Sequence, residues 1–248
     1  MKTKLTIAMM LFVLLNSACL IIDVTDSSDS RNETVRGSGN LTKGLRDLPI
    51  FYSVEMTTAG KVTLTQGDDQ QVSVIVNENL HEFINTTVCN GKLYIGTKRG
   101  TSLSNMALTV NLVMTDLEEL VTSSAGSIES KNKFKADNVS LVLSSAGNIA
   151  LELEAEQLHS QLLSAGNLYL SGSVKEHYAT LASAGNLYAF NLITDKAKIM
   201  LSSAGNAQVF VSQVLDVTIS SIGSLYYKGF PQIFQKITSK GKVINANG

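Results

Sequence analysis

The chain has 248 residues, enough for one large domain or two small ones with an apolar core. Its 20 Lys and Arg against 21 Asp and Glu exclude the basic footprint of a nucleic-acid binder and a broad cationic face for anionic lipid. Aromatic residues make up 6% and Trp is absent, while Gly, Ser, Thr, Asn, Val, Ile and Leu abound, a palette of short strands and tight turns that points to an all-β chain.

The first element is a leader. "MKTKLTIAMMLFVLLNSACLIID" opens on two lysines, continues in an apolar run from Leu5 to Leu15, and closes on the small residues Ser17 and Ala18. That order predicts a signal peptide over 1–18, since the apolar run is short for a membrane span. An uncleaved anchor would have to hold Asn16 and Ser17 in hydrocarbon. Cys19 stands where a lipoprotein signal places its acylated residue, and "NSAC" resembles the lipobox, with Asn16 in place of the usual aliphatic residue. Ordinary cleavage after Ala18 fits the same residues. Lipid attachment at Cys19 would leave Cys89 without an intramolecular partner, so no disulfide framework is expected and Cys89 reads as a buried, inert thiol. Residues 19–36, largely "DVTDSSDSRNETVR", are too polar to bury and read as a flexible tether, leaving 37–248 as the folded domain.

The next elements are strands without a common period. "KVTLTQGDDQQVSVIV" predicts two strands around Gly67-Asp68-Asp69, "TTVCNGKLYIGT" a hairpin around Asn90-Gly91, and "MALTVNLVM" a further strand. This part is expected to form the irregular opening end of the more regular second half of the chain, with some antiparallel pairing, and to cap it.

From Thr122 onward one phrase recurs. Aligned on glycine it reads "TSSAGSI" at Gly126, "LSSAGNI" at Gly147, "LLSAGNL" at Gly166, "LASAGNL" at Gly185, "LSSAGNA" at Gly205, "ISSIGSL" at Gly223 and "ITSKGKV" at Gly241. Successive spacings are 21, 19, 19, 20, 18 and 18, the mark of a solenoid whose coils stack one on the next. "RGSGNL" at Gly39 and "TTAGKV" at Gly60 read as drifted copies, which would bring the stack to about eight or nine coils. Leu or Ile stands four before the glycine in every copy but the first, which has Thr122, an aliphatic residue stands two after it, and Ser stands two before it in every copy. Alternation on both sides of a bend means two short strands meeting at a corner. The expected fold is therefore all-β: a single-stranded parallel β-helix with coils of 18–21 residues and an irregular N-terminal part.

In such a stack each corner lies on the next, about 4.8 Å away. The glycines are expected to supply a positive φ, and the serines two positions before them to point inward. Asn148, Asn167, Asn186 and Asn206 are expected to bond along a ladder. Gly126, Gly147, Gly166, Gly185, Gly205 and Gly223 with these asparagines are thus structural turn residues. A catalytic serine in S-A-G is implausible in so many equivalent copies.

The phrases "GSGNL", "VTLTQG", "VSVIVNENL", "INTTV" and "GKLYIG", with Arg46 and Phe51, precede the SAGN corners and a closing "YKGFP" (Tyr227 to Pro231). In that order the chain, from about Val35 to its end, resembles the head-GIN-domain family of auto-transporter adhesins. The resemblance implies a right-handed β-helix, a signal or lipoprotein leader, and a surface or periplasmic address in a Gram-negative bacterium. It brings no catalytic or binding residues, and this chain has Ala where many members have Gly or Ser in the corner phrase.

Parallel β-helices include polysaccharide-active enzymes, whose sites need carboxylates on adjacent coils. Here the acidic residues share no evident column, and Glu152, Glu154 and Glu156 lie in one coil. His81, His159 and His177 lack ligand spacing, so no metal and no cofactor are expected. Three residues after the corner glycine stand Glu129, Ala150, Tyr169, Tyr188, Gln208 and Tyr226, an outward column. Tyr169, Tyr188 and Tyr226 are the candidate surface-binding residues, since exposed tyrosines pack on sugars or on a partner's apolar face. Cross-strand stacking that only stabilises the sheet is the competing account. The expected function is non-enzymatic adhesion or recognition at the cell envelope, toward a glycan or a protein, with membrane attachment through acylated Cys19. The alternatives are a periplasmic structural protein and a polysaccharide-active enzyme.

Overall fold

The computed structural model describes residues 34–248. The leader, Cys19 and most of the predicted tether lie outside them. The N-terminal part contains β1 (Thr34–Arg36), β2 (Leu41–Arg46), β3 (Ser53–Met56), β4 (Lys61–Gln66) and β5 (Gln71–Asn77). A short 3-10 helix (Glu78–Phe83) follows, then β6 (Ile84–Cys89), β7 (Lys92–Thr97), β8 (Ser102–Ser104) and β9 (Thr109–Met114). The repeats supply β10 (Glu119–Thr122), β11 (Ser127–Ser130), β12 (Phe134–Leu143), β13 (Asn148–Leu162), β14 (Asn167–Leu181) and β15 (Asn186–Leu201). The chain ends in β16 (Asn206–Ile219), β17 (Ser224–Lys228), β18 (Gln232–Ile237) and β19 (Lys242–Asn245). The fold is all-β, 65% strand, with a solenoid of about 7 turns rather than eight or nine. Thr34–Arg36, read from sequence as the end of the tether, pair parallel with β8.

From β10 onward every coil pairs parallel with the next, in a register that follows the repeat. Leu143, Leu162, Leu181, Leu201 and Ile219 form one inward column; Ile149, Leu168, Leu187, Ala207 and Leu225 form another, and none exceeds 1% exposure. Stacking identical aliphatic positions at the coil rise removes nearly all of their apolar surface from water, which is the main favourable term here.

The corners correct two expectations. The corner glycines Gly126, Gly147, Gly166, Gly185, Gly205, Gly223 and Gly241 do not have φ in the left-handed region; their requirement is close approach. A Cβ on Gly166 would lie 2.4 Å from the Gly147 carbonyl oxygen, and one on Gly205 would lie 2.4 Å from that of Gly185. At five of the corners the residue after the glycine donates its N–H to the glycine of the adjoining coil, as Asn148 does to Gly126 (3.1 Å) and Asn186 to Gly166 (3.0 Å). The serines two before the glycine are half-buried, and Ser239 in the last copy is exposed, rather than inward, because the chain is already turning there. The asparagine ladder is present. Asn167 Nδ2 donates to Asn148 Oδ1 (2.9 Å), Asn186 to Asn167 (3.0 Å) and Asn206 to Asn186 (3.4 Å).

Chain order and stacking order part company in the first half. β3 lies between β7 and β10, and β4 between β9 and β11, all parallel. The coil made of β7 and β9 therefore sits beneath the coil made of β3 and β4, although it comes later in sequence. The antiparallel pairs β2–β5, β5–β9 and β6–β7 close this end. The hairpin turn is Asn90-Gly91, with φ of 51° and 72°, the primed geometry that Asn-Gly tolerates. Gly60 forms a corner whose carbonyl accepts the N–H of Ser127 (2.9 Å). Gly39, by contrast, precedes antiparallel β2, so "RGSGNL" is part of the cap and not a corner. Cys89 is half-buried rather than buried.

Candidate functional site

The outward column three residues after the corner glycine is continuous across five registers: Glu129, Ala150, Tyr169, Tyr188, Gln208, Tyr226. Parallel in-register strands place equivalent side chains one coil rise apart, so neighbouring aromatic residues meet face to face. Tyr169 and Tyr188 do so, with ring centroids 4.8 Å apart and planes 10° from parallel. Tyr169 is 45% exposed, whereas Tyr188 is half-buried. Tyr226 lies two coils beyond Tyr188, with Gln208 between them.

A groove of about 550 Å3 runs along this face, bordered by Ala150, Glu152, Tyr169, Tyr188, Asn191 and Gln208. Beside the tyrosines runs a polar column of Glu152, Ser171 and Asn191. Phe190 adds a third aromatic wall, with Lys228 Nζ 4.8 Å from its ring centroid, a cation–π contact. At the far end Glu129 is held between Lys61 (2.8 Å) and Lys131. Hydrogen bonds from Lys131, then Lys61, hold its carboxyl below the usual range. The groove thus joins flat apolar surface to carboxylate, hydroxyl, amide and ammonium groups, the chemistry of reversible recognition.

Sequence reasoning missed three further arrangements. His159 stacks on Tyr178 (4.9 Å, 11°), a pair separated in sequence by one coil period and so detectable from spacing. The Tyr178 hydroxyl donates to Glu176 (2.8 Å), which raises its own pKa and lowers that of Glu176. The acidic residues also share a column after all: flanking registers set Asp137 level with Glu156, and Asp195 two coils on with Lys175 between. The Glu156–Lys175 pair closes at 2.5 Å, and these residues line a second groove of about 580 Å3 with Asp116 and Glu154. Local bends at this corner, where coil lengths differ, hid the alignment in the sequence. Among the described residues no group of three or more His, Cys, Asp or Glu side chains is placed to hold a metal ion.

His177 lies in the core at 1% exposure, its Nε2 3.0 Å from Ser160 Oγ and its Nδ1 without a hydrogen-bond partner. Burial, with a smaller contribution from His159, lowers its pKa to about 3, so the ring is neutral. Leaving an acceptor lone pair unpaired costs less than leaving an N–H unpaired, which favours Nε2–H donating to Ser160. His81, in the cap, bridges Thr42 and Arg46. None of the three histidines lies in the tyrosine groove.

A family model described as "Putative auto-transporter adhesin, head GIN domain" matches residues 50–231. Comparison with curated proteins gives no match. Among solved structures, a "putative adhesin" from Bacteroides fragilis NCTC 9343 superposes with a TM-score of 0.80 at 19% identity, covering 85% of this chain and 99% of that one. A "Putative lipid binding protein" from Parabacteroides distasonis ATCC 8503 gives a TM-score of 0.75 at 22% identity, covering 87% and 100%. A "putative adhesin" from Parabacteroides merdae ATCC 43184 gives 0.69 at 21%, again covering 87% and 100%. At these identities the likeness to the solved structures is one of fold.

Proposed function

The chain belongs to the head-GIN-domain family, whose description is "Putative auto-transporter adhesin", and on that premise we propose that it is a non-enzymatic recognition protein of the cell envelope, binding a glycan or protein along its tyrosine face. The supporting observation is the stacked Tyr169–Tyr188 pair, with Tyr169 exposed, on a stiff parallel stack beside a groove with polar groups on its second wall. Such a stack presents its surface without a conformational change, so the ordering cost of binding stays small. Tyr226 extends the same face two coils further.

Residues 1–18 act as the export signal in this proposal, and Cys19 carries the lipid that tethers the β-helix to the membrane. Mass spectrometry of the mature N-terminus tests this. Diacylglycerol in thioether linkage to the Cys19 sulfur supports the anchor, and an unmodified Cys19 thiol, or a mature chain that lacks Cys19, overturns it.

Protease shaving of intact cells, followed by immunoblotting with a periplasmic control, tests the address. Loss of the protein while the control survives supports display outside the cell. Full protection removes the surface on which adhesion would act and makes a periplasmic envelope-binding role the better reading.

A further inference from the structure

Taking the tyrosine face as the recognition surface, we propose that the notch above Ala150 is a sugar subsite, in which one face of a pyranose ring packs on the open face of Tyr169. Each ring in a stack has two faces. Tyr188 covers one face of Tyr169, and the register directs the other across Ala150 toward Glu129. Ala150 offers only a methyl group, so the ladder breaks off there. The gap from Tyr169 to the Glu129 position spans two coil rises, about 10 Å. A ring placed in it lies one van der Waals thickness from Tyr169 and continues the ladder by one step.

Packing does not require alanine at this position, since residue 150 points outward and is exposed, and alanine is disfavoured in strands. The notch is part of the groove, whose floor reaches Leu151 and Leu170, both buried core residues.

The polar wall selects the ligand class. Glu152, Ser171 and Ser130 border the notch on one side. Ser130 Oγ accepts the N–H of Glu152 (2.9 Å), which leaves its own O–H to donate outward. Glu152 is 3.8 Å from Lys133, a loose pair that leaves carboxylate lone pairs facing water. A flat hydrocarbon ring would satisfy Tyr169 and desolvate these groups without replacing their hydrogen bonds. A pyranose has an apolar C–H face for the tyrosine and equatorial hydroxyls for the carboxylate and serines. The groove continues along the stack from Ser130 to Lys228, so the ligand is an oligosaccharide with one unit seated at the notch.

The test uses the exported chain with cellotetraose and chitotetraose as probes, read by saturation-transfer NMR and by tyrosine fluorescence, which no Trp obscures. Ala150→Tyr fills the notch while removing no existing group; Tyr169→Ala removes its wall; Tyr178→Ala, on another side of the coil, is the control. The expected result is at least tenfold weaker binding for Ala150→Tyr and Tyr169→Ala, unchanged binding for Tyr178→Ala, and a melting temperature for Ala150→Tyr no lower than that of the unaltered chain. Full binding by Ala150→Tyr with loss in Tyr169→Ala overturns the notch and leaves the tyrosine face standing. Full binding by a Tyr169→Ala, Tyr188→Ala double variant overturns the tyrosine face itself. Failure of the unaltered chain to bind either probe, or any member of a broad glycan array at millimolar concentration, overturns the sugar assignment.

Discussion

At the corners, a single hydrogen atom separates a tolerated residue from a disruptive one. A methyl group on Gly166 would fall 2.4 Å from a backbone oxygen that is itself held in the coil below. Gly166→Ala is therefore expected to cost about 2–3 kcal/mol in urea denaturation, in the range of overpacking. Gly100, with φ of +76° and open space around it, provides the contrast: Gly100→Ala meets only backbone strain of about 1 kcal/mol. The asparagine ladder makes a similar comparison. Asn167 donates one ladder bond and accepts another, so Asn167→Ala is expected to lose about 1–2 kcal/mol. Asn206 makes a long 3.4 Å bond at an exposed position, and Asn206→Ala is expected to lose less than about 0.5 kcal/mol by the same measurement.

Between elements, β13 and β14 enclose a polar pair that lies in the core of the stack, Ser160 and His177. The histidine has a pKa near 6.5 when unfolded and about 3 when folded. A depressed folded pKa means that its contribution is complete above pH 6.5 and declines as the pH falls toward 3, by about 1.4 kcal/mol per unit. Glu129 and Glu176 are also held below their usual value of 4.5, so their losses begin at lower pH. Between pH 6.5 and 5 the decline therefore belongs to His177. Denaturant titrations across that window should show a fall of about 2 kcal/mol in the unaltered chain. A His177→Leu, Ser160→Ala double variant should give a nearly flat profile. An equal slope in both would remove His177 as the origin of acid sensitivity.

Across the whole molecule the two ends differ. The N-terminal end is closed by antiparallel strands and the 3-10 helix, which buries Leu80 completely. The last coil pairs on one side only, β18 with β16 and β19 with β17, and leaves Phe234 at 52% and Ile237 at 38% exposure. No acidic side chain follows Asp216, whereas Lys236, Lys240 and Lys242 border this open edge. Like charges on an edge discourage pairing with a second copy. Replacing the three lysines by Thr should produce concentration-dependent association in size-exclusion chromatography with light scattering, while the unaltered chain stays monodisperse.

The sequence by itself determined the solenoid. A repeat of 18–21 residues, alternating apolar positions and a glycine at each bend are sufficient, because each coil rests on a neighbour with the same pattern. It also determined the outward tyrosine column, since period-two alternation fixes which face a strand residue occupies. What only the tertiary structure decided depends on contacts without a period. β7 and β9 slide beneath β3 and β4 because open coil edges can pair with any strand that reaches them, and chain order does not specify which one does. The corner glycines look the same in sequence whether they relieve φ or admit a carbonyl, and only the distance to the coil below separates the two. The acidic column lies past bends of unequal length, where counting from the glycine loses register; Phe190 and Lys228 stand at the same offset from Gly185 and Gly223 but two coils apart, and only the structure shows them meeting. The notch at Ala150 is an absence, visible as a site only once the ring beside it has been placed.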